Sequence, residues 1–249
     1  MAGGVASLAR AVGISQPSVS TWSRIPADRV LTIEALTSIP RFILRPDLYG
    51  SAGADVSSFK IDEIDQLRAA EYDLLSLLLG KAPDAATLAR VVTLKGDASD
   101  LGMAHVELAA AAEMDERAVS REFFDLFIGL GRGEVLPYAS YYLTGFLHER
   151  PLARVREDFD LLGIERAGPS REPEDHIAIL LEVMANLARG AFDADFAMQA
   201  RFFERHLKPW GARMFADLEV SKSARFYRAV GRLGRVFMEL ESEAFTLSE

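Results

Sequence analysis

The segment Arg171–Met184 is the feature of this sequence that most constrains its fold. It places Pro173, Glu174 and Asp175 directly before a long apolar run. Proline suits the first position of a helix, where no backbone N–H is needed, and acidic side chains suit the positive end of the helix dipole. The sequence therefore predicts a helix that has Pro173 at its first position and both acidic residues in its first turn.

The apolar residues after His176 recur at spacings of three and four, the period of a helix with one buried face. His176 precedes Leu180 by one turn and is predicted at the rim of that face. An acid and an imidazole at a helix start can support chemistry or simply cap the helix, and spacing alone favours capping. The residues predicted to be buried are Ile177, Leu180, Leu181, Met184, Leu187 and Ala188.

Helical periodicity continues through most of the chain after Asp62, and no segment alternates apolar and polar residues for long enough to predict a strand. The expected fold is an all-α helical bundle. Two further apolar stripes are predicted, the first formed by Leu67, Ala70, Leu74, Leu77 and Leu78, and the second by Phe226, Val230, Leu233, Phe237 and Leu240.

Composition excludes several classes of site. The 249 residues include no cysteine, so disulfides, thiolate metal sites and a cysteine nucleophile are ruled out. The four histidines show no metal-ligand spacing, and no cofactor motif is present. Val135–Leu147 is too short to span a bilayer, and the N-terminus shows no export signal, so we expect a cytoplasmic protein without a membrane segment.

Charge is distributed unevenly along the chain. The formal net charge is −9, yet residues 1–50 hold five arginines, two aspartates and one glutamate. This asymmetry predicts two modules. The polar, small-residue stretch 50–65 is predicted to be a linker between a module at 1–49 and a domain at 66–249.

The first module has the residue order of a helix-turn-helix. Gly13 would form the turn, Ser15 would cap the second helix, and Val19 and Trp22 would pack inward. The residues predicted to face DNA are Gln16, Ser18, Thr21 and Arg24. The module resembles the YdaS-like, Cro-related family of helix-turn-helix regulators, whose members carry a further helix before the position of Gly3. We therefore expect either a longer N-terminus or a shortened module, and DNA binding and a packing role both stay open.

The glycine-rich stretch Gly129–Gly133 is not a phosphate loop, because no strand precedes it and no Gly-Lys-Ser/Thr follows it. Behind Pro137 lie three tyrosines and a serine. Such residues suit a peptide-binding groove or the rim of a core, and composition alone favours the rim.

Five segments in order resemble the TorD/DmsD/NarJ family of molybdoenzyme maturation chaperones, over roughly residues 65–245. The string Glu172–His176 contributes most to the resemblance. The other segments are Phe123–Gly129, Leu136–Tyr142, His206–Trp210 and Phe226–Gly231.

The resemblance implies an all-helical chaperone, not an enzyme, that needs no cofactor. Its partner would be the apo-form of a molybdopterin-dependent oxidoreductase catalytic subunit or its twin-arginine signal peptide, and it would act as a monomer or homodimer. The candidate client-binding residues are Pro173, Glu174, Asp175, His176, Tyr138, Ser140, Tyr142, Phe127 and Gly129. The alternative function is a DNA-binding regulator whose helical domain senses a client or ligand.

Overall fold

The computed structural model describes residues 63–165 and 172–247, together with Pro26 and Val30. Within these residues the regular structure is helical and contains no strand. A π-helical turn, Phe124–Ile128, follows α4, and a 3-10 turn, Ala191–Asp193, precedes α8. The α-helices are α1 (Glu63–Gly80), α2 (Ala85–Val91), α3 (Asp100–Ala111), α4 (Glu116–Phe123), α5 (Ala139–Thr144), α6 (Arg150–Leu162), α7 (Ile177–Ala188), α8 (Phe196–His206), α9 (Gly211–Val220) and α10 (Phe226–Leu247).

Helix α7 is the central helix of this domain. It packs lengthwise against α1 and also contacts α8. The six residues predicted to form its buried face are all buried, and Ala178, Val183 and Ala185 are buried as well. A helix that is apolar around most of its circumference is stable only when neighbours cover most of its sides. The prediction of the buried face is therefore confirmed.

The predicted start of this helix is wrong by four residues. Helix α7 begins at Ile177, with His176 as the capping residue in an extended conformation. Pro173 instead begins a turn in which its carbonyl accepts a hydrogen bond from the His176 N–H at 3.1 Å. The helical conformation is not available to His176 because its backbone pairs with Tyr138 in an isolated antiparallel bridge.

The stripe predicted on α1 is only partly right, because Leu78 is buried but three of the five residues are exposed. Leu67 is 67% exposed and Leu77 38% exposed. Polar contacts explain why a different side of α1 faces the core. The Tyr72 hydroxyl donates to Glu241 of α10 at 2.6 Å, and the Arg68 guanidinium donates to both oxygens of the same carboxylate. The residues of α1 that are buried are Ala69, Glu71, Tyr72, Leu75, Leu78 and Leu79.

Helix α10 closes the core against α9 and α3. Four of the five residues predicted for its apolar stripe are buried, whereas Leu240 is 44% exposed. Contacts along the whole chain cluster into two units, Met1–Lys60 and Ile61–Glu249. The domain limits predicted from the sequence stay predictions. No helix in the described residues is long and apolar enough to cross a membrane.

Candidate functional site

Two segments that are distant in the sequence lie side by side at the start of α7. The Ala139 N–H donates to the Asp175 carbonyl at 3.0 Å, and the Ile177 N–H donates to the Pro137 carbonyl at 2.8 Å. These bonds flank the bridge between Tyr138 and His176. We call the paired segments 137–140 and 175–177 the seam. The seam brings together the two segments from which most of the candidate residues were predicted.

Asp175 holds the seam together from inside. Its side chain is buried, and its Oδ2 accepts a hydrogen bond from the Ser140 N–H at 2.8 Å, in the first turn of α5. Ser140 is also buried, and its Oγ accepts the Glu149 N–H at 3.2 Å. A carboxylate at a helix N-terminus satisfies a free N–H and complements the dipole. The Asp175 carboxylate is therefore engaged inside the fold, and its role in client binding stays a prediction.

His176 caps α7 with its ring. Its Nδ1 accepts the Ala178 N–H at 3.1 Å, and this requires the neutral imidazole with its proton on Nε2. Burial lowers the pKa of His176 below its ordinary value of 6.5, while the nearby Glu172 and Asp175 raise it by less. The ring also packs edge-on against Tyr138, with centroids 5.1 Å apart. A cap that depends on a neutral imidazole predicts sensitivity to acid.

Tyr138 connects the seam to the surface. Its hydroxyl donates to Glu172 at 2.7 Å. Burial raises the pKa of the Tyr138 hydroxyl, and the bond to Glu172 raises it further. The phenol therefore stays protonated and holds the Glu172 carboxylate at the edge of a groove that runs beside the seam.

The first half of this groove is an aromatic chamber of about 560 Å³. Its lining comes from the π-helical turn, the end of α1 and the residues after it, the seam, and the exposed side of α7. The chamber thus collects Phe127, Tyr138 and His176 from three different segments. Its lining residues are Ser76, Leu79, Gly80, Lys81, Ala82, Ser120, Phe123, Phe124, Phe127, Ile128, Pro137, Tyr138, Glu172, His176, Ala178, Ile179 and Glu182.

The π-helical turn is fixed by aromatic packing behind it. Phe127 packs against Phe123 and Tyr227, with ring centroids 5.0 Å and 5.2 Å away. Gly129 ends the turn with φ +63°, and a Cβ on it would lie 2.2 Å from the Arg132 carbonyl oxygen. Gly129 does not line the groove. It allows the backbone conformation that ends the π-helical turn.

The second half of the groove is an acidic chamber of about 640 Å³. It shares Glu172, Ile179 and Glu182 with the aromatic chamber, so the two chambers adjoin along α7. Its floor is apolar, and five carboxylates and one arginine lie among its lining residues. These residues are Arg156, Phe159, Asp160, Ile164, Glu165, Glu172, Glu174, Ile179, Glu182, Val183, Asn186 and Phe192.

The remaining candidate residues occupy different positions. Glu174 lines the acidic chamber, and the Arg156 guanidinium donates two hydrogen bonds to it. Pro173 closes the turn before the seam. Tyr142 does not line either chamber, because its ring packs on Trp210 and its hydroxyl donates to Asp217 at 2.9 Å. The four residues predicted to face DNA lie outside the described residues.

Sequence reasoning did not single out Ile128 and Glu182. Ile128 directly precedes Gly129 at the end of a motif, and it is 55% exposed although apolar. Glu182 is the acidic residue in a helix that is otherwise almost wholly apolar. A charged residue in such a helix signals the side that faces solvent. That signal was present in the sequence, but it does not say what the exposed side lines.

The cap formed by His176 gives a test in solution. Above about pH 6.5 the residue is neutral in both folded and unfolded protein, and its contribution to stability is complete. Below that pH the unfolded chain takes up a proton more readily than the folded protein, so stability falls. We expect wild type to lose more stability between about pH 7.5 and about pH 5.5 than His176→Asn, which caps without titrating.

Urea unfolding of both proteins at the two pH values measures this difference. Because His105 and His206 titrate equally in both proteins, their effects cancel in the comparison. An equal loss of stability in the two proteins would contradict the assigned cap.

Comparison with known proteins identifies relatives for both modules. Residues 94–216 match the family model described as nitrate reductase delta subunit, and residues 1–53 match the model described as bacterial toxin YdaS. A chaperone protein TorD from Shewanella loihica is 29% identical over 204 residues, covering 72% of this chain and 93% of the relative. One from Aliivibrio fischeri is 32% identical over 134 residues, covering 49% and 62%.

A solved structure has the same fold. A candidate redox enzyme maturation protein from Archaeoglobus fulgidus superposes with a TM-score of 0.50 at 23% identity, covering 70% of this chain and 94% of that one. At this identity the likeness concerns the fold alone, and it agrees with the all-α architecture predicted from the sequence.

Proposed function

Because residues 94–216 match the family model described as nitrate reductase delta subunit and the chain is similar to TorD chaperones, we propose that it binds the twin-arginine signal peptide, or the apo-form, of a molybdopterin-dependent oxidoreductase. It would hold this client in the cytoplasm until the cofactor has been inserted, and then release it. In this proposal the protein acts by binding and catalyses no reaction, as a monomer or a homodimer.

The observation that carries the proposal is the pair of adjoining chambers along α7, which together form the groove. Its aromatic chamber offers apolar area from Phe124, Phe127 and Ile128, and its acidic chamber offers carboxylates. A signal peptide of this kind has two guanidinium groups followed by an apolar segment. Arginine forms charge-assisted hydrogen bonds with carboxylates, and aromatic walls suit an apolar segment, so the two chambers match the two parts of such a peptide in chemistry.

The charge of the domain supports the same partner. Residues 51–249 carry the whole negative balance of the chain, because residues 1–50 are net positive. A negative surface around a groove increases the rate at which a basic peptide encounters it, and salt screens this effect. We therefore expect slower association at high salt.

The direct test is calorimetric titration with the signal peptides of molybdoenzymes encoded beside this gene. We expect at least one of them to bind wild type. Ile128→Ser should weaken that binding by about fivefold, because part of an isoleucine's apolar area no longer covers the peptide. Since Ile128 is 55% exposed, its replacement should leave the unfolding temperature almost unchanged.

Val220→Ser is the matched control, because Val220 is 79% exposed and lines neither chamber. Its affinity should equal that of wild type. If none of the peptides nor the apo-enzymes binds wild type, the proposal fails. If both variants bind like wild type, the groove is not the binding site.

The first module supports a second candidate function. Residues 1–53 match a model of YdaS, and the sequence has a helix-turn-helix order there. The protein would then be a DNA-binding regulator whose helical domain senses a client. A gel-shift assay on the upstream promoter region should show a complex, and Arg24→Ala should weaken it. Absence of a complex with this chain and with a version extended upstream would reject this function.

A further inference from the structure

The acidic chamber is more than a negatively charged surface, because it has depth and an apolar floor. Its volume is about 640 Å³, and Phe159, Ile179 and Val183 lie among its lining. An arginine side chain has the same construction, with an apolar stem and a planar charged head. The chamber could cover the stem while carboxylates meet the head.

Glu182 stands at the border between the chambers. It is exposed on α7 and lines both of them. No described residue lies within ion-pairing distance of its carboxylate, in contrast to Glu174, which accepts hydrogen bonds from Arg156. An exposed acceptor at this point can take a guanidinium without first losing an internal partner.

Arg156 shows how a guanidinium sits in this chamber. It is the basic residue among the lining, and its Nε and a terminal nitrogen lie 3.0 Å and 2.9 Å from the same Glu174 oxygen. Its side chain is 55% exposed, whereas that of Glu174 is only 15% exposed. The arginine therefore reaches into the chamber from its rim, the approach that an arginine of a bound peptide would also use.

From this arrangement we propose that the acidic chamber is the arginine subsite of the groove. Glu182 is the acceptor that selects arginine, and Arg156 is an internal competitor that occupies Glu174 until a peptide arginine displaces it. The inference rests on the proposed function, since it assigns parts of the same groove. It also sets a polarity: the arginines lie in the acidic chamber, and the following apolar segment crosses α7 into the aromatic chamber.

Internal competition has a measurable consequence. A peptide arginine must displace the Arg156 head group and is repelled by its charge until it does so. Removing this competitor should strengthen binding, whereas removing Glu182 should weaken it. Because both side chains are exposed, solvent screens each effect, and moderate changes in affinity are expected.

The test measures the binding of three synthetic peptides by fluorescence anisotropy. In the first, two adjacent arginines precede a segment of leucine and alanine; in the others, both arginines are replaced by lysine or by glutamine. The proteins are wild type, Glu182→Gln, Arg156→Gln and Glu113→Gln. Glu113 is exposed and lies outside both chambers, so its variant controls for net charge.

We expect Glu182→Gln to bind the arginine peptide about three- to tenfold more weakly than wild type, and Arg156→Gln to bind it about threefold more tightly. Neither variant should change the affinity for the glutamine peptide. The lysine peptide should bind more weakly than the arginine peptide, because an ammonium cannot offer a planar pair of donors. Glu113→Gln should behave as wild type with all three peptides.

The two hypotheses fail in different ways. If wild type binds the arginine and glutamine peptides equally, or if Glu182→Gln weakens both alike, the arginine subsite is wrong while the groove still binds peptides. If Arg156→Gln weakens binding of the arginine peptide, Arg156 is a contact and not a competitor. If wild type binds none of the peptides and no signal peptide in the calorimetric titration, the proposed function fails too.

Discussion

Asp175→Ala should lower the free energy of unfolding by about 2–4 kcal/mol and weaken peptide binding, because the buried side chain fixes the groove wall. The substitution removes the acceptor of the Ser140 N–H at 2.8 Å and leaves that donor buried. It also removes a negative charge from the N-terminus of α5. The seam would loosen, and with it the positions of Tyr138 and His176 on the groove wall.

Asp175→Asn separates the two contributions. An amide oxygen can still accept the Ser140 N–H, so we expect this variant to lose less than half as much stability as Asp175→Ala. Chemical unfolding followed by circular dichroism measures both. Because Asp175 acts through the wall, its loss should weaken arginine and glutamine peptides alike, unlike the loss of Glu182. Selective weakening of the arginine peptide would show that Asp175 contacts the client.

Glu122→Ala is expected to cost about 3–5 kcal/mol, the largest effect among these variants. The Glu122 carboxylate is buried on α4 and accepts three backbone N–H groups at the start of α10. They come from Arg225 at 2.7 Å, Phe226 at 3.2 Å and Tyr227 at 2.7 Å. One side chain thus caps a helix of 22 residues and joins it to the helix that leads into the π-helical turn.

Loss of the Glu122 cap should also loosen the aromatic wall of the groove. Tyr227 packs against Phe127 and donates its hydroxyl to the Leu78 carbonyl at 2.9 Å. Once the Tyr227 N–H loses its acceptor Glu122, the ring that supports Phe127 from behind is held less firmly. Glu116→Ala, on the same helix but exposed, is the control and should change stability by no more than about 0.5 kcal/mol. Equal stability of the two variants would refute the assigned cap.

Much of the fold could be predicted from the sequence. The buried face of α7 follows from periodicity because other parts of the fold cover almost every apolar residue of that helix. The same is true of four stripe residues of α10. On α1, by contrast, leucines occur around the whole helix. Which side of α1 faces the core is set by the hydrogen bonds from Arg68 and Tyr72 to Glu241, which lies 169 residues from Tyr72 in the sequence. The periodicity of a single segment cannot predict contacts between residues so far apart in the sequence.

The candidate site was predictable in part. The motifs identify the segments that form the groove, and Phe127, Tyr138 and His176 do line it. The sequence does not say which side chains point inward. Asp175 and His176 are adjacent to the acidic residues at the rim, yet both are buried by the backbone pairing with Tyr138. That pairing also moves the helix start, because a residue that bridges to another segment cannot adopt helical dihedral angles.

Photo-cross-linking tests the central claim, that a basic and apolar peptide lies in this groove, most directly. The probe is the synthetic arginine peptide with a benzophenone group in its apolar segment, irradiated with wild type and digested for mass spectrometry. We predict cross-links to the π-helical turn, at Phe124 and Ile128, which an excess of unlabelled peptide abolishes. Cross-links confined to the outer surfaces of α8 and α9, or insensitive to the competitor, would contradict the account.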